Sequence, residues 1–180
     1  MSNVKLAPTR ILKVIPSDYC DIPYPTVAFQ DSNAESRAGA DGIIQNGNDP
    51  FQVQNSSGDW VNVVNPGDVI YFYEDNLAAT VTEVLSPSDI RINAAILTEG
   101  EYYNLVIYQN SLFPNQGCQL YFPDPTVTPR IRFTSAGQDS APGTNNGYVF
   151  GKVQSQVLPL QIVKLWESNT DIDVEYFAMW

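Results

Sequence analysis

The sequence predicts an all-β protein, and three observations carry that expectation. Thirteen prolines and eleven glycines punctuate a chain of 180 residues, a density that starts turns and stops helices. Between them lie runs rich in Val, Ile, Thr, Tyr and Phe, which fit the pleated, half-buried surface of a strand. Strong helix formers never accumulate over a window of about fifteen residues. The expected architecture is a compact antiparallel β-sandwich or barrel. It carries a small inserted β-barrel-like module and an extended N-terminal arm.

Val4 to Phe29, "VKLAPTRILKVIPSDYCDIPYPTVAF", reads as that arm. Prolines at 8, 16, 23 and 25 each fix φ and push the preceding residue out of the helical region. Leu6, Ile11, Leu12, Val14 and Ile15 still need burial, across a partner or along a sheet edge. Asp31 to Gly42 is the one place for a short helix, or else a loop. "NGND" and "NSSGD" are turn clusters around "PFQVQ". From Asn65 onward the spacing predicts four strands joined by tight turns, "DVIYFYE", "AATVTEVL", "IRINAAIL" and "YYNLVIY", which make an antiparallel meander. "CQLYF", "RIRFTSA", "YVFGKV", "LPLQIVKLWES" and "DIDVEYFAMW" follow. In "PLQIVKLW" the alternation puts Leu160, Ile162, Lys164 and Trp166 on one face, with the lysine stem running outward. In "DIDVEYF" it puts Ile172, Val174 and Tyr176 inward.

Charge narrows the function classes. A net charge of −11 argues against nucleic acid as a partner, because phosphate binding needs Lys and Arg. The distribution is uneven. Lys5, Arg10 and Lys13 stand in the first thirteen residues with no acid among them, whereas Ala38 to Ile90 has eight acids and no Lys or Arg. A basic, apolar arm precedes an acidic body, an arrangement that suits an arm docking on a neighbour. No apolar run approaches the roughly 18 residues that span a bilayer, and no signal-peptide pattern opens the chain. A soluble protein made in the cytoplasm is the expectation.

Catalytic apparatus is hard to find. With no histidine, there is no Ser-His-Asp triad, no Cys-His pair and no imidazole base or ligand. Cys20 and Cys118 are 98 positions apart, so they make no metal spacing and read as buried free thiols. Twenty acids offer many carboxylate pairs for glycoside hydrolysis, but no feature selects one. Asp171, Asp173 and Glu175 in "DIDVE" would share a strand face and make a weak cation site, or simply a solvated face. No catalytic residue, cofactor or metal is assigned, and the chain reads as not an enzyme. The aromatic residues serve packing and interfaces more often than they stack on sugars.

Two patterns resemble a known class. "PGDVIYFYEDNLAATVTEVLSPSDIRINAAILTEGEYYNLVIY" is similar to a small β module that recurs in structural proteins of tailed bacteriophages, marine ones included. Gly67, Asp68, Ala79, Thr80, Val81, Thr82 and Val84 carry the match. "RILKVIPSDYCDIPYP" and "YVFGKVQSQVLPLQIVKLWESNTDIDVEYFAMW" resemble the two ends of a compact phage β protein. "GCQLYFPDPTVTPRIRFTSAGQDS" supplies the strands between, and the Gly-Asp module is an insertion from Asp31 to about Asn115. The implied organisation is an arm and first strand over residues 1–30, an inserted module over 31–115, and strands over 116–180 that complete the main domain.

The resemblance implies a virion structural protein assembled in the host cytoplasm, most simply a capsid decoration or cement protein that binds the major capsid protein and stabilises the head. Other virion proteins are further partners, with the chain a homo-oligomer or present in many copies. Lys5, Leu6, Arg10, Ile11, Lys13, Phe177, Met179 and Trp180 are the expected contact residues. The alternative is a receptor- or glycan-binding fibre or knob domain, which would present exposed aromatics in a shallow groove.

Overall fold

The computed structural model describes residues 10–30, 43–45, 49–55, 59–98, 102–110, 117–136 and 147–180. Residues 31–42, read as a short helix or a loop, together with Lys5 and Leu6, lie outside them. The described strands are β1 (Ile11–Val14), β2 (Val27–Gln30), β3 (Ile43–Gln45), β4 (Gln52–Gln54), β5 (Val69–Phe72), β6 (Leu77–Ser86) and β7 (Asp89–Ile92). They continue as β8 (Tyr102–Tyr103), β9 (Leu105–Tyr108), β10 (Cys118–Tyr121), β11 (Ile131–Ser135), β12 (Tyr148–Phe150), β13 (Val157–Leu165) and β14 (Tyr176–Met179). One four-residue helix, α1 (Trp60–Val63), sits between β4 and β5. The all-β expectation holds, and every pairing between strands among the described residues is antiparallel.

The strands form two sheets. A six-stranded sheet has the order β1-β14-β10-β13-β11-β12, and an eight-stranded one the order β2-β9-β5-β6-β7-β4-β3-β8. The first uses residues 11–14 and 118–179, the second residues 27–108. Only Asn104 separates β8 from β9, yet β8 pairs β3 at one end of the order while β9 pairs β5 and β2 at the other. The larger sheet therefore bends back onto one short stretch of chain.

Two cores result. Leu12, Val14, Leu120, Phe133, Ile162, Tyr176 and others of the six-stranded sheet pack with Val69, Tyr71, Ala78 and Tyr108. The opposite faces of β5 and β6 turn Ile70, Phe72, Ala79 and Val81 into a second core with Val53, Trp60, Ile90, Ile92 and Ile107. This placement explains the unbroken apolar run "VIYF": β5 is buried on both faces, so alternation would be a defect there.

The Gly-Asp turn has a readable physical basis. Gly67 adopts φ +99°, and a side chain on it would press into Asn110, so only glycine fits without strain. Asp68 is buried, and its carboxylate accepts hydrogen bonds from the Asn65 amide (2.8 Å) and the Asn110 amide (2.8 Å). A buried carboxylate needs such donors. Here they tie the start of β5 to the chain leaving β9.

Residues 17–22 link the two sheets. The amides of Ser17 and Ile22 donate to the carbonyls of Leu165 (2.9 Å) and Val163 (2.8 Å). On the other side Ser17 Oγ donates to the Ala78 carbonyl (2.9 Å), while Thr80 Oγ1 and Asn93 Nδ2 donate to the Tyr19 carbonyl (3.1 and 2.7 Å). From Arg10 onward the expected arm is thus built into its own body, and its Leu12, Val14 and Ile15 are buried there.

Three expectations need correction. Lys164 does not run outward; it is 1% exposed, its Nζ donates to the Asp18 carbonyl (3.0 Å) and lies 4.1 Å from the Trp166 ring. Arg132 covers the same ring at 4.4 Å. The register between β11 and β13 shifts between Thr134 and Ser135, so Ile162 and Leu165 both reach the core and the assumed alternation breaks. Ile172 is half exposed, not inward, because residues 171–175 form a turn before β14. The Asp171 carboxylate accepts from the Arg130 amide there (2.8 Å), and its carbonyl accepts from Tyr176 Oη (3.0 Å). The helix in "DWVNVV" was not expected at all.

Candidate interaction face

Among the described residues no set of three or more His, Cys, Asp or Glu side chains is placed to hold a metal ion. Asp171, Asp173 and Glu175 fall in the turn, not along one strand face. Cys20 and Cys118 are free and buried, and burial pushes each thiol up to about 12. The nucleophilic thiolate is therefore suppressed.

The residues that do converge are those of the two chain ends. β1 and β14 pair in the register Ile11↔Met179, Leu12↔Ala178, Lys13↔Phe177 and Val14↔Tyr176. Period-two alternation sorts them. Leu12, Val14, Tyr176 and Ala178 enter the core, so Ile11, Lys13, Phe177 and Met179 share the outer face. The row continues across the sheet, with Phe177 opposite Tyr121 and Tyr121 opposite Val157, while Met179 stands opposite Gln119.

The outcome is a mostly apolar face four strands wide, roughly 14 Å across at the usual strand spacing. Ile11 is 60% exposed at its free edge. Phe177, Met179, Tyr121 and Gln119 are half-buried, and Val157 is exposed. Lys13 and Glu175 form an exposed ion pair at one margin (2.8 Å). At another margin the Arg10 guanidinium lies 4.9 Å from the Tyr24 ring, which meets Trp180 edge-on at 5.4 Å. The Trp180 amide donates to the Arg10 carbonyl (3.1 Å).

Of the eight expected contact residues, Ile11, Lys13, Phe177 and Met179 therefore share this outer face, while Arg10 and Trp180 flank β1 and β14 and do not share it. Trp180 is partly used within the chain, packed against Tyr24 and the core. Tyr121, Gln119 and Val157 belong to the same face but were missed. For Gln119 and Tyr121 the signal was the alternation in "CQLY", where Cys118 and Leu120 are buried and Gln119 and Tyr121 are not.

Comparison with known proteins gives no match to a protein family, to a curated protein or to a solved structure.

Proposed function

We propose that the chain is a non-enzymatic structural protein of a tailed-bacteriophage virion, of the capsid decoration or cement type, which binds the major capsid protein through the face made by its two ends. The observation that carries this reading is the convergence of Ile11, Lys13, Phe177 and Met179 on one apolar outer face. Apolar groups arranged contiguously on an otherwise acidic surface mark an interaction site. Seven side chains fall short of the roughly 20–30 residues per side of a standard stable interface. Such a face gains strength from repetition, as on a lattice that presents many equivalent sites. The same reading is what the resemblance of the Gly-Asp module and the chain ends implies.

The test is co-sedimentation with heads assembled without this chain. Wild-type protein is expected to bind, and Ile11→Asp with Met179→Asp to weaken binding at least about a hundredfold. That equals roughly 3 kcal/mol, ordinary for charging two side chains of an apolar contact. Both positions are on the outer face, so thermal melting should change little. Undiminished binding by the double variant would refute the assignment of this face.

A further inference from the structure

Two methionines and two cysteines hold the sulfur of the chain. The cysteines are shut away. Cys20 and Cys118 are 5% and 2% exposed, and Cys118 Sγ donates to the Ile162 carbonyl (3.3 Å). Burial disfavours their thiolates, the form that oxidants attack. Met179 differs in place and in chemistry. It is half-buried on the outer face, directly opposite Ile11 on β1 and Gln119 on β10. β14 lies between those two strands in the sheet, so Met179 has a strand of the face on either side of it. A thioether has no proton to lose, so its sulfur lone pair is available at neutral pH.

We infer that Met179 is an oxidation switch of this face, converted by a peroxide to its sulfoxide, which weakens docking. The sulfur lone pair attacks one peroxide oxygen, the O–O bond breaks and a sulfur–oxygen bond forms. Sulfur gives up two electrons, and the rest of a hydrogen peroxide molecule leaves as water. The product is a polar group where an apolar one stood. Its oxygen holds water that docking strips away, and the side chains of Ile11 and Phe177 beside it offer no hydrogen bond in exchange. Methionine contacts at interfaces are sensitive to this change for the same reason. The effect on docking rests on the proposed role of the face, whereas the reactivity of Met179 does not.

Treating the full chain with dilute hydrogen peroxide at neutral pH tests both parts. Peptide mass spectrometry is expected to find one added oxygen on Met179 while Cys20 and Cys118 stay reduced. On a hydrophobic-interaction column the oxidised chain should elute earlier than the untreated one, a readout that needs no partner. In co-sedimentation with heads assembled without this chain, oxidation should weaken binding at least about tenfold. Methionine sulfoxide reductases, one for each epimer, should restore it. Met179→Leu keeps Met1, both cysteines and Trp180, so its elution and its binding should both withstand peroxide. Met179→Gln is polar without oxidation and should bind as weakly as the oxidised wild type. Thiols that react before Met179, or oxidised and untreated chains that elute together, would overturn the inference. Equal peroxide sensitivity of Met179→Leu and the wild type would do the same. Untreated wild-type protein that fails to bind heads refutes the capsid reading instead, and the column and the mass spectra then decide whether Met179 is the oxidisable group of the face.

Discussion

Tyr71→Ala is expected to lose about 3–5 kcal/mol of stability, the usual cost of truncating a buried aromatic. A domain of this size has only about 5–15 kcal/mol to lose. Tyr71 is fully buried on β5, in the core where the larger sheet meets the smaller one. Its ring meets those of Tyr73 and Tyr108 edge-on, both at 5.5 Å. Tyr71→Phe should behave quite differently. The Tyr71 hydroxyl is buried without a hydrogen-bond partner among the described residues, and an unpartnered buried hydroxyl costs about 1–3 kcal/mol. Removing it while keeping the ring should leave stability unchanged or raise it by about 1 kcal/mol. Urea unfolding of both variants measures this. A Tyr71→Phe loss as large as the alanine loss would contradict the packing described for this core.

Raising the pH from 9 to 12 is expected to unfold the protein. Cys20 and Cys118 have their pKa values raised from 9.0 to about 12, mainly because burial disfavours the thiolate. A raised folded-state pKa contributes stability that is complete below the unfolded value and is lost as pH climbs toward the folded one. Each thiol then removes about 1.4 kcal/mol per pH unit above 9, and the two together rival the whole stability within two or three units. Buried Tyr71 is also held above its ordinary value by desolvation and adds to the loss above pH 10. Lys164 works the other way. Burial lowers its pKa below 10.5, so its unfavourable buried charge is relieved as pH rises, a partial offset. Circular dichroism between pH 8 and 12 follows the transition. Cys20→Ala with Cys118→Ala should flatten the loss between pH 9 and 11, and an unchanged pH dependence would refute the assignment to the thiols.

The strands between Val69 and Tyr108 were legible because their physics is local. "NPGD" needs a glycine at positive φ, and "VIYF" has the composition of a strand buried on both sides. Features fixed by distant partners were not legible. Lys164 reads as a surface lysine until the carbonyl of Asp18, far away in sequence, is placed against its Nζ. The alternation in β13 fails at a register shift set by β11, which no feature of "PLQIVKLW" announces. α1 is four residues of "WVNV", including two β-branched valines, and has no helical signature. The site divides in the same way. Ile11 and Lys13 could be marked at one end of the chain, Phe177 and Met179 at the other. Only the long-range β1–β14 register makes them one surface, and the pairing of β10 with β14 and β13 adds Tyr121 and Val157 to it.

The proposed role is tested most directly by counting the chain in purified particles of the tailed phage proposed to encode it, by quantitative mass spectrometry against the major capsid protein. Decoration of a repeating head lattice predicts hundreds of copies per particle. A chain absent from the particles, or present at about a dozen copies or fewer as in a tail, portal or vertex part, would contradict it.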